Sequence, residues 1–533
     1  MIDIKVAGQS LDLMPNTSIQ IEWVNPLWDM ETIPGVRSFP FTLNDTDRNR
    51  NLLQYTKVLM RQGGGISRVD AEIHLGGLPF LAGKLYIQRF TDRNYTVYFS
   101  SQSGDVAAAI EGVGLRDLEM GGPRIMGPDS TTWRATMLAT TTAGNWPAQD
   151  FVFFPIRNYS IGLDDESISL AAQGVSGYDG ITTICPIQNF YYNGAFHENW
   201  FYDLGMTFGW DLVWTIPFVY VGHILEQAFE VAGYSISGSW LQDPEIASLV
   251  INSLKVHHYW TVYVPVGGFA IDLASGMPDI SIAEFLIGLR KMFCLAFIFD
   301  SVSKSVEIAP IREILRSSEV EDWTSLATPT FEANDQEPPT YEFSFDIDSE
   351  DAKSEQVSDL RNLTEGDPVA DQSMLPALDV PATYRFIQDE FAYWSVDKEG
   401  TTWKFTSFPL NPYGNKNASQ GIKTKLSPVL SWRGNDTLPT DFNWIVPPPI
   451  GRFWKLPAIE QFGSFNITGV KEAAFAARLM FYRGMVADNN GNTYPFGSAD
   501  NYDWAGNRIA EYSLHWGGED GLYNQWWSEW IVF

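Results

Sequence analysis

Ser281-Ile-Ala-Glu-Phe-Leu-Ile-Gly-Leu-Arg-Lys-Met-Phe-Cys-Leu-Ala-Phe-Ile-Phe299 reads as an amphipathic helix running straight into a strand. Ser281 and Glu284 have capping-box spacing, and Phe285, Leu286, Leu289 and Phe293 fall on one helical face. A polar turn then separates Cys294–Phe299 from a second alternating run, Ser305-Val-Glu-Ile-Ala309. The same pair occurs in rougher form upstream. Val221, Ile224, Leu225, Ala228 and Ala232 share a face, Gly233 stands where a C-cap glycine belongs, and Tyr234-Ser-Ile-Ser-Gly238 alternates. A helix laid on a β-hairpin is therefore expected over residues 206–318, as an α+β domain.

Working outward, residues 1–105 read as antiparallel β structure. Arg68–Leu75 is a strand, Gly76-Gly77 a tight turn, Leu78–Gln88 the return, and Tyr95–Phe99 a third strand. One helix, Arg48–Met60, is expected behind a cap at Asp45 or Thr46. Residues 106–205, rich in Thr and small side chains, read as an irregular β insertion. Residues 319–371 hold 16 acidic and 2 basic side chains. Within them Tyr341, Phe343, Phe345 and Ile347 alternate with Glu342, Ser344, Asp346 and Asp348, giving a strand with one apolar and one acidic face. Residues 319–450 are expected as one acidic β domain and 451–533 as an aromatic-rich C-terminal one. Glu519–Trp530 reads as a short helix bearing Trp526, Trp527 and Trp530 on an aromatic face.

The totals agree with a folded, multidomain, mainly β protein. The chain has 533 residues, too many for one core, with 45% hydrophobic and 19% charged residues. Aromatic side chains make up 14% and favour pleated, half-buried surfaces. A formal charge of −30 argues against tight binding to nucleic acid, whose phosphates such a surface repels. Cys185 and Cys294 cannot supply a disulfide framework, and Cys294 reads as a buried thiol. The start, Met-Ile-Asp-Ile-Lys-Val6, lacks the pattern of a secretory signal, and no apolar stretch is long enough to span a bilayer. Synthesis in a cytoplasm is the expectation.

Motifs for chemistry are scarce. None of the six histidines is paired at helical metal-site spacing, and no CxxC is present, so neither a metal nor a cofactor is expected. Asp488-Asn-Asn-Gly-Asn492 has oxygen donors at alternate positions but lacks the glycine and glutamate of a calcium loop; a hairpin turn is the reading, with a weak calcium site near Asp488–Asp503 left open. There is no GxSxG elbow and no phosphate-binding loop. The enzyme reading that stays open is a pair of carboxylates beside sugar-stacking aromatics, as in glycoside hydrolysis.

Several segments resemble the tail-tip hub proteins of long-tailed bacteriophages, particularly the kind found in phages of Bacteroidetes. They are Asn25-Pro-Leu-Trp28 with Phe39–Leu43 and Thr46–Asn49, then Ile224–Phe229 with Ala232-Gly-Tyr234, then Glu284–Ile287 with Phe297–Asp300 and Asp322-Trp-Thr324. Arg478–Gly484, Tyr512–Trp516 and Gly521-Leu-Tyr523 complete the set. The resemblance implies a non-enzymatic virion protein at the tail tip, assembled in the bacterial host cytoplasm as a homotrimer. Two small antiparallel β-barrels per subunit would form a ring joining the hexameric tail tube to the tip. Residues 1–105 would supply one barrel and the acidic region after 319 part of the other. The partners implied are other copies, the tail tube, neighbouring tip proteins, and DNA that passes through the lumen without being held. On this reading Glu342, Asp346 and Asp348 line the channel, and Trp526, Trp527 and Trp530 lie at an interface. The alternatives are a carbohydrate-binding or glycoside-cleaving surface protein, with those tryptophans as platforms, or a receptor-binding tail fibre.

Overall fold

Gly76 and Gly77 adopt φ of 61° and 91°, a turn open to glycine, and they join Arg68–Leu75 to Leu78–Phe90 as an antiparallel hairpin. This hairpin organises the first part of a computed structural model of the chain. The structure describes residues 2–23, 30–54, 68–158, 187–197, 212–260, 269–318, 339–346, 383–387, 392–399, 402–408, 413–435, 453–459 and 477–532, apart from 32, 34, 102, 254 and 416, together with two short strands at Thr183–Ile184 and Phe201–Tyr202. It is mainly β, with several sheets and a few helices. The chain divides into two compact units built from interleaved segments: 1–113, 225–240 and 295–311 in the first, and 114–224, 241–294 and 312–533 in the second. Residues 206–318 thus contribute to both.

In the first unit an eight-stranded sheet runs in the order Gln9–Ser10, Ile2–Val6, Arg68–Leu75, Leu78–Phe90, Asn94–Ser101, Val36–Ser38, Ile21–Trp23, with Phe41–Asn44 also pairing with Asn94–Ser101. Alternation puts Ile4, Ala71, Ile73, Leu85, Val97 and Phe99 on one face, all buried in a single core. The expected barrel is corrected here: among the described residues the strand pairings do not close this sheet, and between Gln9–Ser10 and Phe41–Asn44 there is only an isolated bridge, Leu13 to Leu43. The expected helix is short, Asp47–Leu52, with Thr46 as the cap whose hydroxyl accepts from the Asn49 N–H at 3.1 Å; its predicted continuation at 55–60 lies outside the described residues. A three-stranded sheet completes the unit. Ser235–Ser237 pairs in parallel with Ser305–Pro310, which pairs antiparallel with Leu295–Asp300.

The helix-on-hairpin expectation holds with a change of partner. The Phe229 ring, on helix Val221–Glu230, lies 6.0 Å from Phe297 and 6.2 Å from Phe299 on the hairpin. The helix that leads into the hairpin, Ile282–Phe293, is built into the second unit. Its capping box forms as expected, and Cys294 ends it in a left-handed conformation at φ 49°. Burial pushes the Cys294 thiol up, so it is an inert core group.

Among the described residues the second unit has two large sheets. The six-stranded one follows the order Phe151–Val152, Phe218–Tyr220, Leu249–Ile251, Arg478–Ala487, Ser427–Pro428, with Thr493–Ser498 beside Arg478–Ala487. The seven-stranded one runs Ile187–Gln188, Ile156–Asn158, Phe453–Ile459, Leu430–Asn435, Thr402–Phe408, Ala392–Glu399, Thr383–Ile387. Val152, Phe154, Ile156, Phe218, Tyr220, Val250 and Met480 close a core between strands far apart in sequence. Among the described residues, strands from 319–450 are therefore shared among the six-stranded sheet, the seven-stranded sheet and a three-stranded one of Tyr341–Phe345, Tyr413–Gly414 and Gln420–Thr424, and none of these closes into a barrel. The Thr-rich stretch read as irregular is in part a helix, Ser130–Thr142. Asp129 caps it, accepting from the Thr132 N–H at 2.7 Å, and Trp133, Met137 and Thr141, four residues apart, bury one stripe.

Candidate functional site

Strand Tyr341–Phe345 lies in a small sheet, parallel to Gln420–Thr424 and antiparallel to Tyr413–Gly414. Its odd-numbered side chains point into the second unit and its even-numbered ones away. Phe343 and Phe345 are buried, whereas Glu342 and Ser344 are half-buried. The buried face meets the C-terminal helix. Phe343 lies 5.1 Å from the Trp527 ring, 5.1 Å from Trp516 and 5.6 Å from Tyr523; Phe345 stacks on Trp516 at 5.2 Å; Tyr341 meets Trp530 at 5.5 Å. The two groups singled out in the sequence, the acidic strand and the tryptophans, are thus brought together. No pattern in either segment announces the other, because about 180 residues separate them.

The tryptophans nevertheless do a different job from the expected one. A π-helical turn, Tyr523–Trp527, followed by Ser528–Val532, turns Trp526 and Trp527 inward, where they are 2% and 0% exposed. Trp526 is held between the Phe293 ring at 5.6 Å, Tyr512 at 5.1 Å and the Arg312 guanidinium at 4.2 Å. Trp527 donates its indole N–H to the Lys291 carbonyl at 3.1 Å. Side chains committed to the subunit's own core cannot serve as an intersubunit surface or as sugar platforms, which corrects both expectations for Trp526 and Trp527. Trp530 alone of the three is half-exposed, packed on Trp527 at 5.3 Å.

The outward face is acidic in part. Asp346 forms an ion pair with Lys423, and Lys425, just past the end of that strand, pairs with Glu284. Lys425 and the Ser281 backbone N–H lower the Glu284 carboxyl to about 2. This edge therefore alternates in sign and is not an unbroken row of carboxylates. Asp348 lies outside the described residues.

A buried polar network escaped the sequence reading. Lys455 and Asp500 form an ion pair at 2.7 Å with side chains 0% and 1% exposed. Burial alone would favour a neutral Asp500 carboxyl, but Lys455 and His515 outweigh it and hold the group below its ordinary range. Arg483 pairs with Glu245 and donates to the carbonyls of Asp500 at 2.9 Å and Tyr512 at 2.6 Å. Glu245 accepts from the backbone N–H groups of Glu511 and Tyr512, and the Tyr512 hydroxyl donates to Asp243 at 2.7 Å. These contacts clamp the 499–520 loops onto the 243–245 turn.

The signal that could have marked this region is a repeated D-x-x-G-N. At Asp488–Asn492 and at Asp503–Asn507 the aspartate carboxylate accepts the N–H groups two and four residues on, each at 2.8 Å. Gly491 and Gly506 supply φ of 81° and 85°. The carboxylates are thus engaged in folding two turns. Among the described residues no group of three or more His, Cys, Asp and Glu is arranged to hold a metal ion, and no helix is long and apolar enough to cross a membrane.

No protein-family model matches the chain, and no curated protein matches it.

Proposed function

We propose that this chain is a structural protein of the phage virion, a homotrimeric tail hub that joins the tail tube to the tail tip and contributes to the channel through which DNA leaves. The observation that carries the reading is the strand Tyr341–Phe345. Its aromatic face is spent on the core, while its even-numbered face carries the half-buried carboxylates of Glu342 and Asp346, the latter paired with Lys423. A face whose lysine is already matched by a carboxylate offers DNA little to hold, as a wall that DNA must pass without sticking requires. The net charge of −30 fits such a role. The glycan-binding alternative loses its best platform with the burial of Trp526 and Trp527.

Electron microscopy of the purified protein, or of tails that contain it, tests the proposal. A threefold ring with an axial bore faced by Glu342 and Asp346 is expected. A single-copy particle with no bore, or a bore lined with Lys and Arg, overturns it.

A further inference from the structure

The hairpin Arg68–Leu75/Leu78–Phe90 runs past the end of its neighbour, because Asn94–Ser101 stops with Ser101 opposite Gly83. The projecting part, Leu75–Phe80, carries no charged residue. Leu78 is 73% exposed, Leu75 41%, and Ile2 and Phe80 37% each. Ile2 pairs directly with Leu75, and Leu75 with Leu78, so these side chains form one apolar row across three strands. By alternation the row continues the face of Ile4 and Ile73, beyond the edge of the core they build.

The opposite face of the same strands floors a groove of about 590 Å³ in the first unit. Its small side chains, Ala82, Gly83, Ala109 and Ala232, leave the middle open. Lys5, Lys84 and Lys304 line it against only two carboxylates, Asp70 and Glu72. It is thus a locally cationic spot on a chain of net charge −30.

We infer that the projecting hairpin of one copy seats in this groove of the next, head to tail. The inference rests on the homo-oligomeric reading proposed above and names its joint. Three features commit the groove to a second copy. The knob and the groove lie on opposite faces of one sheet, so each copy presents both and can extend the contact in one direction. Such a heterologous joint closes into a ring when its rotation divides a full turn. The groove's one excess positive charge locally offsets the repulsion between two strongly anionic copies, while the hairpin tip that enters brings no charge to desolvate. The volume lies in the range of about 300–1,000 Å³ in which proteins enclose small ligands, so it accepts the few side chains of a hairpin tip.

Sedimentation of the purified full-length chain tests this with two single substitutions. Leu78→Asp and Ala232→Trp are each expected to weaken self-association at least about 30-fold while leaving the circular dichroism unchanged. Mixing the two variants is expected to yield dimers and nothing larger. One variant retains an intact groove and the other an intact hairpin, so a single joint can form. Lys304→Glu replaces Ala232→Trp as the groove variant if the latter fails to fold. A wild-type trimer that persists in Leu78→Asp, or a mixture that stays monomeric, overturns the joint and leaves the trimer standing. A wild-type chain that is monomeric at every concentration overturns both.

Discussion

Lys455 and Asp500 place two opposite charges where water does not reach, and the consequence is asymmetric. Removing both would cost little, whereas removing one strands the other. Lys455→Met is therefore expected to destabilise the second unit by about 3–5 kcal/mol. The double variant Lys455→Met/Asp500→Leu should recover most of that loss, as read by denaturant unfolding of each protein. Glu284 gives a pH-dependent counterpart nearer the surface. Its carboxyl is held at about 2, below the ordinary 4.5, so the folded state favours the charged form. That contribution is complete above about pH 4.5 and is lost as the pH falls through 2. With the side chain 40% exposed, solvent screening limits it to about 0.2–1 kcal/mol. The melting temperature of Glu284→Gln should lie below that of the wild type at pH 6 and converge on it as the pH approaches 2.

At the level of elements, local signals were well marked and long-range ones were not. The Gly76-Gly77 hairpin, the Ser281/Glu284 capping box and the Gly233 helix end each depend on residues a few positions apart, and each is found where the sequence places it. Helix Ser130–Thr142 was missed because six of its thirteen residues are threonine, a β-branched residue that weakens local helix preference. Burial of Trp133 and Met137 overrides that preference. The inward turn of Trp526 and Trp527 was equally hidden. It depends on Phe293, Arg312 and Phe343, which are distant in sequence, so aromatic composition alone pointed to a surface. Close approach of elements also predicts the sign of a substitution. A Cβ on Gly288 would come within 2.6 Å of the Leu426 side chain. Helix propensity favours a larger residue there by less than about 1 kcal/mol, but overpacking against Leu426 costs about 1–3 kcal/mol. Gly288→Val should therefore lower the unfolding midpoint of the second unit, although an exposed helical glycine would tolerate the change.

For the whole molecule, charge sets the terms of assembly. Copies that each carry −30 repel one another over about 10 Å at moderate ionic strength, and added salt shortens that range. If apolar contacts close the ring, raising sodium chloride from about 20 to about 200 mM should strengthen self-association. A joint held mainly by ion pairs would weaken over the same range. Sedimentation at the two salt concentrations separates these outcomes.

The interleaving of the two units also governs the order in which the protein can mature. The chain passes from one unit to the other at 113/114, 224/225, 240/241, 294/295 and 311/312. As it leaves the ribosome, the first 113 residues can form their sheet early. They then wait nearly two hundred residues for Ser301, whose hydroxyl receives the Ala82 N–H, and for the strands around it. Throughout that interval the nascent chain holds an unfinished first unit and an unfinished second one, the condition in which chaperones are most needed.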